Sequence, residues 1–290
     1  MSLPSDVAGA VAPHLSGPIR QVASVGGGCI AHATRISTDE ETFFLKYGRG
    51  DVARTFPAEA AGLRALQRAG SPLVIPRLIA SGVVGSDAGF LLMTWIERGS
   101  RKERFWEEFG GHLAALHRHA ENRFGFDRET FIGRLPQRNT WEARWPAFFR
   151  EHRLEPQVRM ARDRGHWQSA WNQWLDALYL RLDEVLPEHP PASLLHGDLW
   201  SGNLMVTASG RAALIDPAVY FGHREADLAM TELFGGFPTR FYDAYGEAWP
   251  LEPGYALRRE VYNLYHLINH LNHFGSGYAG SVASVLQRFV

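Results

Sequence analysis

Cysteine is nearly missing from this chain: among 290 residues there is one, Cys29. A lone cysteine excludes an internal disulfide framework and fits a reducing interior. Net charge is equally scant, −1 at pH 7 with a sequence pI near 6.9, and the arginines are scattered among acids rather than gathered into a run. No global field therefore draws the chain to nucleic acid or to a membrane surface. No apolar stretch approaches the roughly 20 residues of a membrane span, and residues 1–18 lack the basic start and apolar core of a signal peptide. Internal repeats and low-complexity linkers are missing too. What is left is the expectation of a soluble cytoplasmic protein without nucleic-acid or membrane partners. With 45% hydrophobic residues, it has ample core for one large domain or two lobes.

Against this plain background one stretch stands out. Residues 196–203 read His196-Gly197-Asp198-Leu199-Trp200-Ser201-Gly202-Asn203, and Asp216 follows further on. Residues 204–207 and 211–215 have the character of two short apolar strands around an Ala208-Ser209-Gly210 turn. Antiparallel pairing brings Asn203, before the first strand, beside Asp216, after the second. Asp198 then faces an acceptor hydroxyl, while Asn203 and Asp216 offer oxygen ligands to Mg2+. An ordinary loop with turn residues would explain any one of these positions, but not their joint occurrence. The pattern H-x-D-L-x-x-x-N resembles the catalytic loop of protein kinases and their small-molecule relatives.

The remaining chain is organised to match. Residues 19–47 read as β-structure around Gly26-Gly27-Gly28, whose missing Cβ atoms let backbone N–H groups approach phosphate. A helix follows, with Pro57 suited to its first turn, Ala60, Leu63 and Leu66 on one face, and Gly70 at its end. Residues 78–84 and 89–95 read as strands around Gly85-Ser86-Asp87, and from Arg104 onward the chain is largely helical. The expected fold is α+β, a bilobal protein-kinase-like fold: a β-rich N-lobe over residues 1–95 and a mainly helical C-lobe over 96–290. Lys46, the one cation in Phe43-Phe44-Leu45-Lys46-Tyr47, is placed to bridge the α- and β-phosphates of ATP, with Glu59 on the following helix fixing its rotamer. Met93, Thr94 and Trp95 end the last strand of this half, where adenine would pair with main chain. Cys29, beside the glycines, is a candidate for oxidation and a disulfide-linked dimer, or else a small apolar filler.

Gly197 stands where regulated protein kinases carry arginine, and Pro217-Ala218 follow Asp216 where those enzymes have Phe-Gly. Activation by loop phosphorylation is not expected. More specific motifs narrow the resemblance. The stretches 196–203, 216–225 and 264–278, together with Phe131-Ile132-Gly133, Gln137, Asn139, Trp141 and the run 148–156, closely resemble the fructosamine kinase (ketosamine 3-kinase) family. That resemblance implies an aminoglycoside-phosphotransferase-like fold and use of ATP and Mg2+. It implies phosphorylation of the sugar 3-hydroxyl of ketosamines, whose products decompose and free the amine: a deglycation and repair role on small ketosamines or glycated protein lysines. It also implies that Asp198 is the base, and a cysteine occupies the glycine loop in the family as well. Asp227, where some members have glutamate, reads as a loop anchor.

The closing helix, residues 258–273, supports a sugar-like acceptor. At about 100° per residue, Leu264, Leu267, Ile268 and Leu271 share one face, while Tyr262, His266, Asn269, His270 and His273 lie opposite, with no Lys or Glu among them. Satisfied core polars are the alternative. Trp200 can cover a sugar face, with Trp141 a second candidate. Aminoglycoside- or choline-type transfer and a nucleotide-binding pseudokinase are the competing functions. The first would want an acidic rim for a cationic acceptor. The second predicts loss of Lys46, Asp198, Asn203 or Asp216, and all four are present.

Overall fold

The computed structural model describes residues 2–26 and 31–290. Five strands, β1 (Gln21–Ser24), β2 (His32–Ser37), β3 (Thr42–Arg49), β4 (Leu78–Val84) and β5 (Ala88–Thr94), form an antiparallel sheet in the order β1-β2-β3-β5-β4. In β3 the side chains of Phe43, Leu45 and Tyr47 are buried, and Lys46 falls on the other face by the two-residue period of a strand. The Lys46 face is covered by the helix Asp51–Arg68, whose Phe56, Ala60 and Leu63 pack on Leu91 and Met93. On the opposite face Val7 and Val11, from the helix Ser5–Val11, close over Ile36, Phe43, Leu45 and Phe90.

The placement of Pro57 needs correction. The Asp51–Arg68 helix starts behind Gly50 (φ 58°), so Pro57 sits inside it rather than in its first turn. An interior proline forfeits one main-chain hydrogen bond. The buried residues on both sides of it, Phe56 and Ala60, carry the helix through that gap by packing.

The rest of the chain is helical around one large core, which buries Phe109, Leu113 and Leu116 of the helix Phe105–His117 together with Leu264, Ile268 and Leu271 of the helix Tyr255–Phe274. It also carries seven short strands, β6 (Ala120–Glu121), β7 (Thr130–Ile132), β8 (Leu135–Gln137), β9 (Ala192–Leu195), β10 (Leu204–Val206), β11 (Ala212–Leu214) and β12 (Tyr220–His223), among the described residues. Only β10 and β11 were expected. Strands β12-β9-β6 form a small sheet, and β7-β8 form a hairpin. All four residues of β9 and of β12 are buried, so neither shows the alternation by which a half-exposed strand is recognised. This small sheet delivers the chain, at the end of β9, into His196.

Candidate functional site

The β10-β11 hairpin sets the site. Leu204 pairs with Leu214 and Val206 with Ala212, and the turn closes through Gly210 (φ 76°), whose N–H donates to the Thr207 carbonyl at 2.8 Å. The ladder runs one step further, because the Ile215 N–H donates to the Asn203 carbonyl at 3.1 Å. Asn203 and Asp216 therefore emerge together at the open end. Asp216 has φ 55°, and among the described residues it alone holds a positive φ without being glycine. That conformation costs about 1–2 kcal/mol for a residue with a Cβ. It persists because both flanks are tied down: the Ile215 carbonyl accepts from His196 Nε2 (2.9 Å), and the Ala218 N–H donates to the His196 carbonyl (2.8 Å). Strain of this kind concentrates at functional sites.

The loop before the hairpin is held from beneath by Asp227, which is 1% exposed. Its carboxylate accepts the N–H groups of His196 (2.7 Å) and Gly197 (2.8 Å) and Nε2–H of His117 (3.2 Å). Burial alone would raise its pKa. The hydrogen bond and charge of His117, with His196 and the Gly197 N–H, hold it below the ordinary value. The loop-anchor reading of Asp227 thus describes its contacts. Gly197 (φ 82°) has no room for a side chain, since a Cβ would lie 2.0 Å from the Ala218 carbonyl oxygen. An arginine cannot fit here. His196 is buried, and burial pulls its pKa down. Its Nε2 donates to Ile215, and its Nδ1 accepts the Asp198 N–H at 3.3 Å. Each ring nitrogen is thereby committed to the backbone of the loop.

Asp198 points into the cleft that this loop borders. Asn203 Nδ2 donates to its carbonyl (2.8 Å) and to its Oδ2 (3.0 Å). Burial pushes the Asp198 carboxyl up to about 7, opposed by the Asn203 hydrogen bond and reinforced by the like charges of Asp216 and Asp227. With its nitrogen committed, Asn203 has Oδ1 left for a cation. On the opposite wall Lys46 Nζ bonds Glu59 Oε1 (2.8 Å) and Asp216 Oδ1 (2.6 Å). Burial disfavours the ammonium, yet the carboxylates of Asp216 and Glu59 outweigh it and raise its pKa above the ordinary value. Asp216 keeps Oδ2 outside that bond. Asn203 Oδ1 and Asp216 Oδ2 are hard oxygen donors of the type that suits Mg2+ retaining several of its waters.

These groups line one cavity of ≈ 510 Å³ between the five-stranded sheet and the hairpin, bounded by Gly26, Lys46, Glu59, Asp198, Asn203 and Asp216. Met93, Thr94, Trp95 and Trp200 border it as well. Two of the expected adenine contacts change in detail. The N–H groups of Thr94 and Trp95 are taken by the Arg77 and Thr42 carbonyls (2.9 and 3.3 Å), so neither is left for a base. The Arg77 N–H goes to the Thr94 hydroxyl (2.9 Å), which spares the Thr94 carbonyl. Ile96, which the sequence reading passed over, lines the cavity one step beyond and is the next N–H in line. Gly27, Gly28 and Cys29 lie outside the described residues.

The acceptor candidates separate. Trp200, 37% exposed, meets Phe234 edge-on at 6.2 Å, and Phe234 meets His270 at 4.8 Å. Phe234 was not anticipated, because nothing in its Leu-Phe-Gly-Gly context signals a site. His266 and Asn269 are buried, not solvated, and His266 Nδ1 and Asn269 Nδ2 lack a partner among the described residues. None of His266, Asn269 and His270 lines the main cavity. Trp141 does not reach it either: it stacks on Phe221 (6.1 Å, 28°) beneath Arg123, a packing role that corrects the expectation of a sugar platform. Among the described residues no helix is long and apolar enough to cross a membrane.

Comparison with known proteins places this geometry. A family model described as fructosamine kinase matches residues 7–290. A probable ketoamine kinase from Synechocystis sp. is 40% identical over 275 residues, 93% of this chain and 90% of that protein. The chloroplastic protein-ribulosamine 3-kinase of Arabidopsis thaliana is 36% identical over 283 residues, 94% of this chain and 83% of that protein. A crystal structure from Thermobifida fusca with a provisional fructosamine-3-kinase assignment superposes with a TM-score of 0.87 at 32% identity, covering 99% of both chains. Aminoglycoside phosphotransferase APH(4)-Ia, solved with AMP-PNP and hygromycin B, gives a TM-score of 0.64 at 16% identity over 97% of this chain and 95% of that one, which shows a shared α+β, kinase-like fold. Matched nearly from end to end by its model and by relatives of this similarity, the chain belongs to the fructosamine kinase family.

Proposed function

We propose that this chain is an ATP-dependent ketosamine 3-kinase, with residues 1–95 forming the nucleotide lobe and 96–290 the acceptor lobe. The observation that carries the reading is the convergence of Asp198, Asn203, Asp216 and Lys46 on one cavity, with Asn203 bonded to Asp198 and Lys46 to Asp216. Relatives named ketoamine kinase and protein-ribulosamine 3-kinase support the acceptor class.

In this reading the Thr94 carbonyl and the Ile96 N–H face the adenine. Lys46, kept in line by Glu59, turns its ammonium to the α- and β-phosphates when Asp216 is drawn away. Asn203 Oδ1 and Asp216 would hold Mg2+, which when bound would supply neutralisation of the phosphate charge. Asp198 accepts a hydrogen bond from the sugar 3-hydroxyl and orients its oxygen toward the γ-phosphorus. Because transfer is largely dissociative, the hydroxyl proton moves late, and a carboxylate of modest basicity is enough to take it. Trp200 covers a sugar face, and His270 stands behind Phe234 at the rim. His266 Nδ1 and Asn269 Nδ2, buried without partners among the described residues, are further polar atoms of a kind suited to hydroxyl groups. The uncharged donors of that helix favour a polyol over a cationic aminoglycoside.

The test is a coupled ADP-release assay with Mg2+, over a panel of fructosamines, ribulosamines, glycated protein and aminoglycosides. Activity on ketosamines, lost with EDTA and restored by Mg2+, is the expected result. Activity confined to aminoglycosides overturns the proposal.

A further inference from the structure

Four residues with no part in the chemistry above form one buried chain of hydrogen bonds. Arg153 is turned inward by a π-helical segment, Arg150–Leu154, and is wholly buried. It makes no ion pair with a carboxylate among the described residues. Instead its Nη1 donates to the carbonyls of Arg138 (2.5 Å) and His152 (2.9 Å), and its Nη2 donates to Asn139 Oδ1 (2.7 Å). The guanidinium lies 3.8 Å from the centre of the Tyr220 ring. Since arginine can only donate, Asn139 must turn its oxygen to it and its nitrogen away. Asn139 Nδ2 accordingly donates to Thr130 Oγ1 (2.8 Å) and to the Arg128 carbonyl (3.0 Å). Gln137 Nε2 donates to the same Thr130 hydroxyl (2.8 Å) and to the Ala218 carbonyl (3.0 Å), while its Oε1 accepts from Tyr265 (2.7 Å).

This chain meets the site at two points, its middle at Thr130 and its Gln137 end at Ala218. Thr130 opens β7, which packs on the helix bearing Glu59, and Thr130, Phe131 and Gly133 line the cavity. The far end of that wall is pinned where His273 Nε2 donates to the Ile132 carbonyl (3.2 Å). Ala218 lies two residues after Asp216 and presses its carbonyl on Gly197, the neighbour of Asp198. We propose, resting on the kinase reading above, that Gln137, seated by Asn139 and Arg153, is a positioning residue. It locks the Thr130–Gly133 wall to the Asp216–Ala218 segment and so sets the acceptor hydroxyl against the nucleotide.

The full chain with Gln137→Met keeps the side-chain length without the amide. Two fluxes are read together, phosphorylated ketosamine and ADP released without it. The expected result is a fall in kcat for the ketosamine of between about tenfold and a hundredfold, with KM for ATP held within about twofold, as for a misplaced acceptor. The uncoupled share of ADP rises several-fold. A merely structural role reduces the active fraction, scales both fluxes alike and leaves their ratio unmoved; that result, or wild-type kinetics, overturns the proposal. Thr130→Val removes the same junction almost isosterically, is read in the same way, and decides the matter where Gln137→Met fails to fold. Wild-type protein that transfers to no ketosamine overturns the functional reading and this proposal together. Wild-type transfer with unmoved variant ratios overturns the proposal alone.

Discussion

Replacing Asp227 by asparagine exchanges one oxygen for an NH2 group at a site that is 1% exposed. Three donors converge on the native carboxylate, from His196, Gly197 and His117. In whichever orientation the amide settles, its NH2 faces at least one of them, and a buried donor loses its acceptor at about 1–3 kcal/mol. The surviving bonds also lose their charge assistance, roughly 1 kcal/mol each by the difference between charged and neutral hydrogen bonds. The sum is about 3–5 kcal/mol, worth roughly 6–10 °C in melting temperature at about 2 °C per kcal/mol for a large domain. The loop then shifts where Asp198 is carried, so turnover falls by between about tenfold and a hundredfold, as expected for misplacement near 1 Å. Differential scanning fluorimetry with steady-state ketosamine kinetics on the same preparation reads both. A melting temperature within about 2 °C of wild type together with unchanged kcat would refute the idea that this carboxylate shapes the loop.

Asp198→Ala lowers kcat by roughly 10²-fold or more while KM for ATP stays near wild type, measured by ADP release, because acceptor orientation and proton acceptance are lost together. Gly197→Ala both forces φ +82° on a residue with a Cβ and drives that atom to 2.0 Å from the Ala218 carbonyl; a loss of at least about 2 kcal/mol in chemical denaturation follows from the backbone cost and the clash. Acid destabilises the fold through buried neutral histidines: burial lowers the pKa of His196, of His223 (with Arg224 and Arg258 adding to it) and of His266, the last down to about 3 with His270 contributing. The unfolded chain takes up these protons below pH 6.5 and the folded one does not, so their stability contribution is whole above that pH. It is lost as pH falls, at up to about 1.4 kcal/mol per pH unit for each group, and the raised carboxyl of Asp198, protonated first in the folded state, offsets one such group. Urea midpoints across pH 5–8 check this, and a flat profile between 6.5 and 5 contradicts it.

What could be read from the sequence and what could not divides along the distance between partners in the chain. Asn203 and Asp216 were legible as neighbours because a short apolar hairpin joins them, and a hairpin's register follows from its own residues. Lys46 was legible because an alternating strand leaves its side chain on one known face. The helix from Tyr255 to Phe274 was legible as a helix, but its polar stripe was not a single surface. Tyr262 turns to the core, accepting from Trp145 (3.1 Å) and bonding His223 (2.7 Å), while His266 and Asn269 keep polar atoms without partners among the described residues. Periodicity assigns residues to a face and is silent about which distant element that face meets. Trp141 fails for the same reason: an aromatic near a site motif resembles a platform until Phe221, far along the chain, is found stacked on it. Phe234, bridging Trp200 and His270, and Gln137, reaching Ala218, acquire their places only when strands and helices remote in sequence are packed together. The reacting groups therefore lie in locally encoded segments, whereas the residues that hold those segments against each other are set by the tertiary core. Substitutions in the second group should consequently disturb coupling between lobes more than nucleotide binding, since Lys46 and Glu59 already meet within the first sheet and its helix.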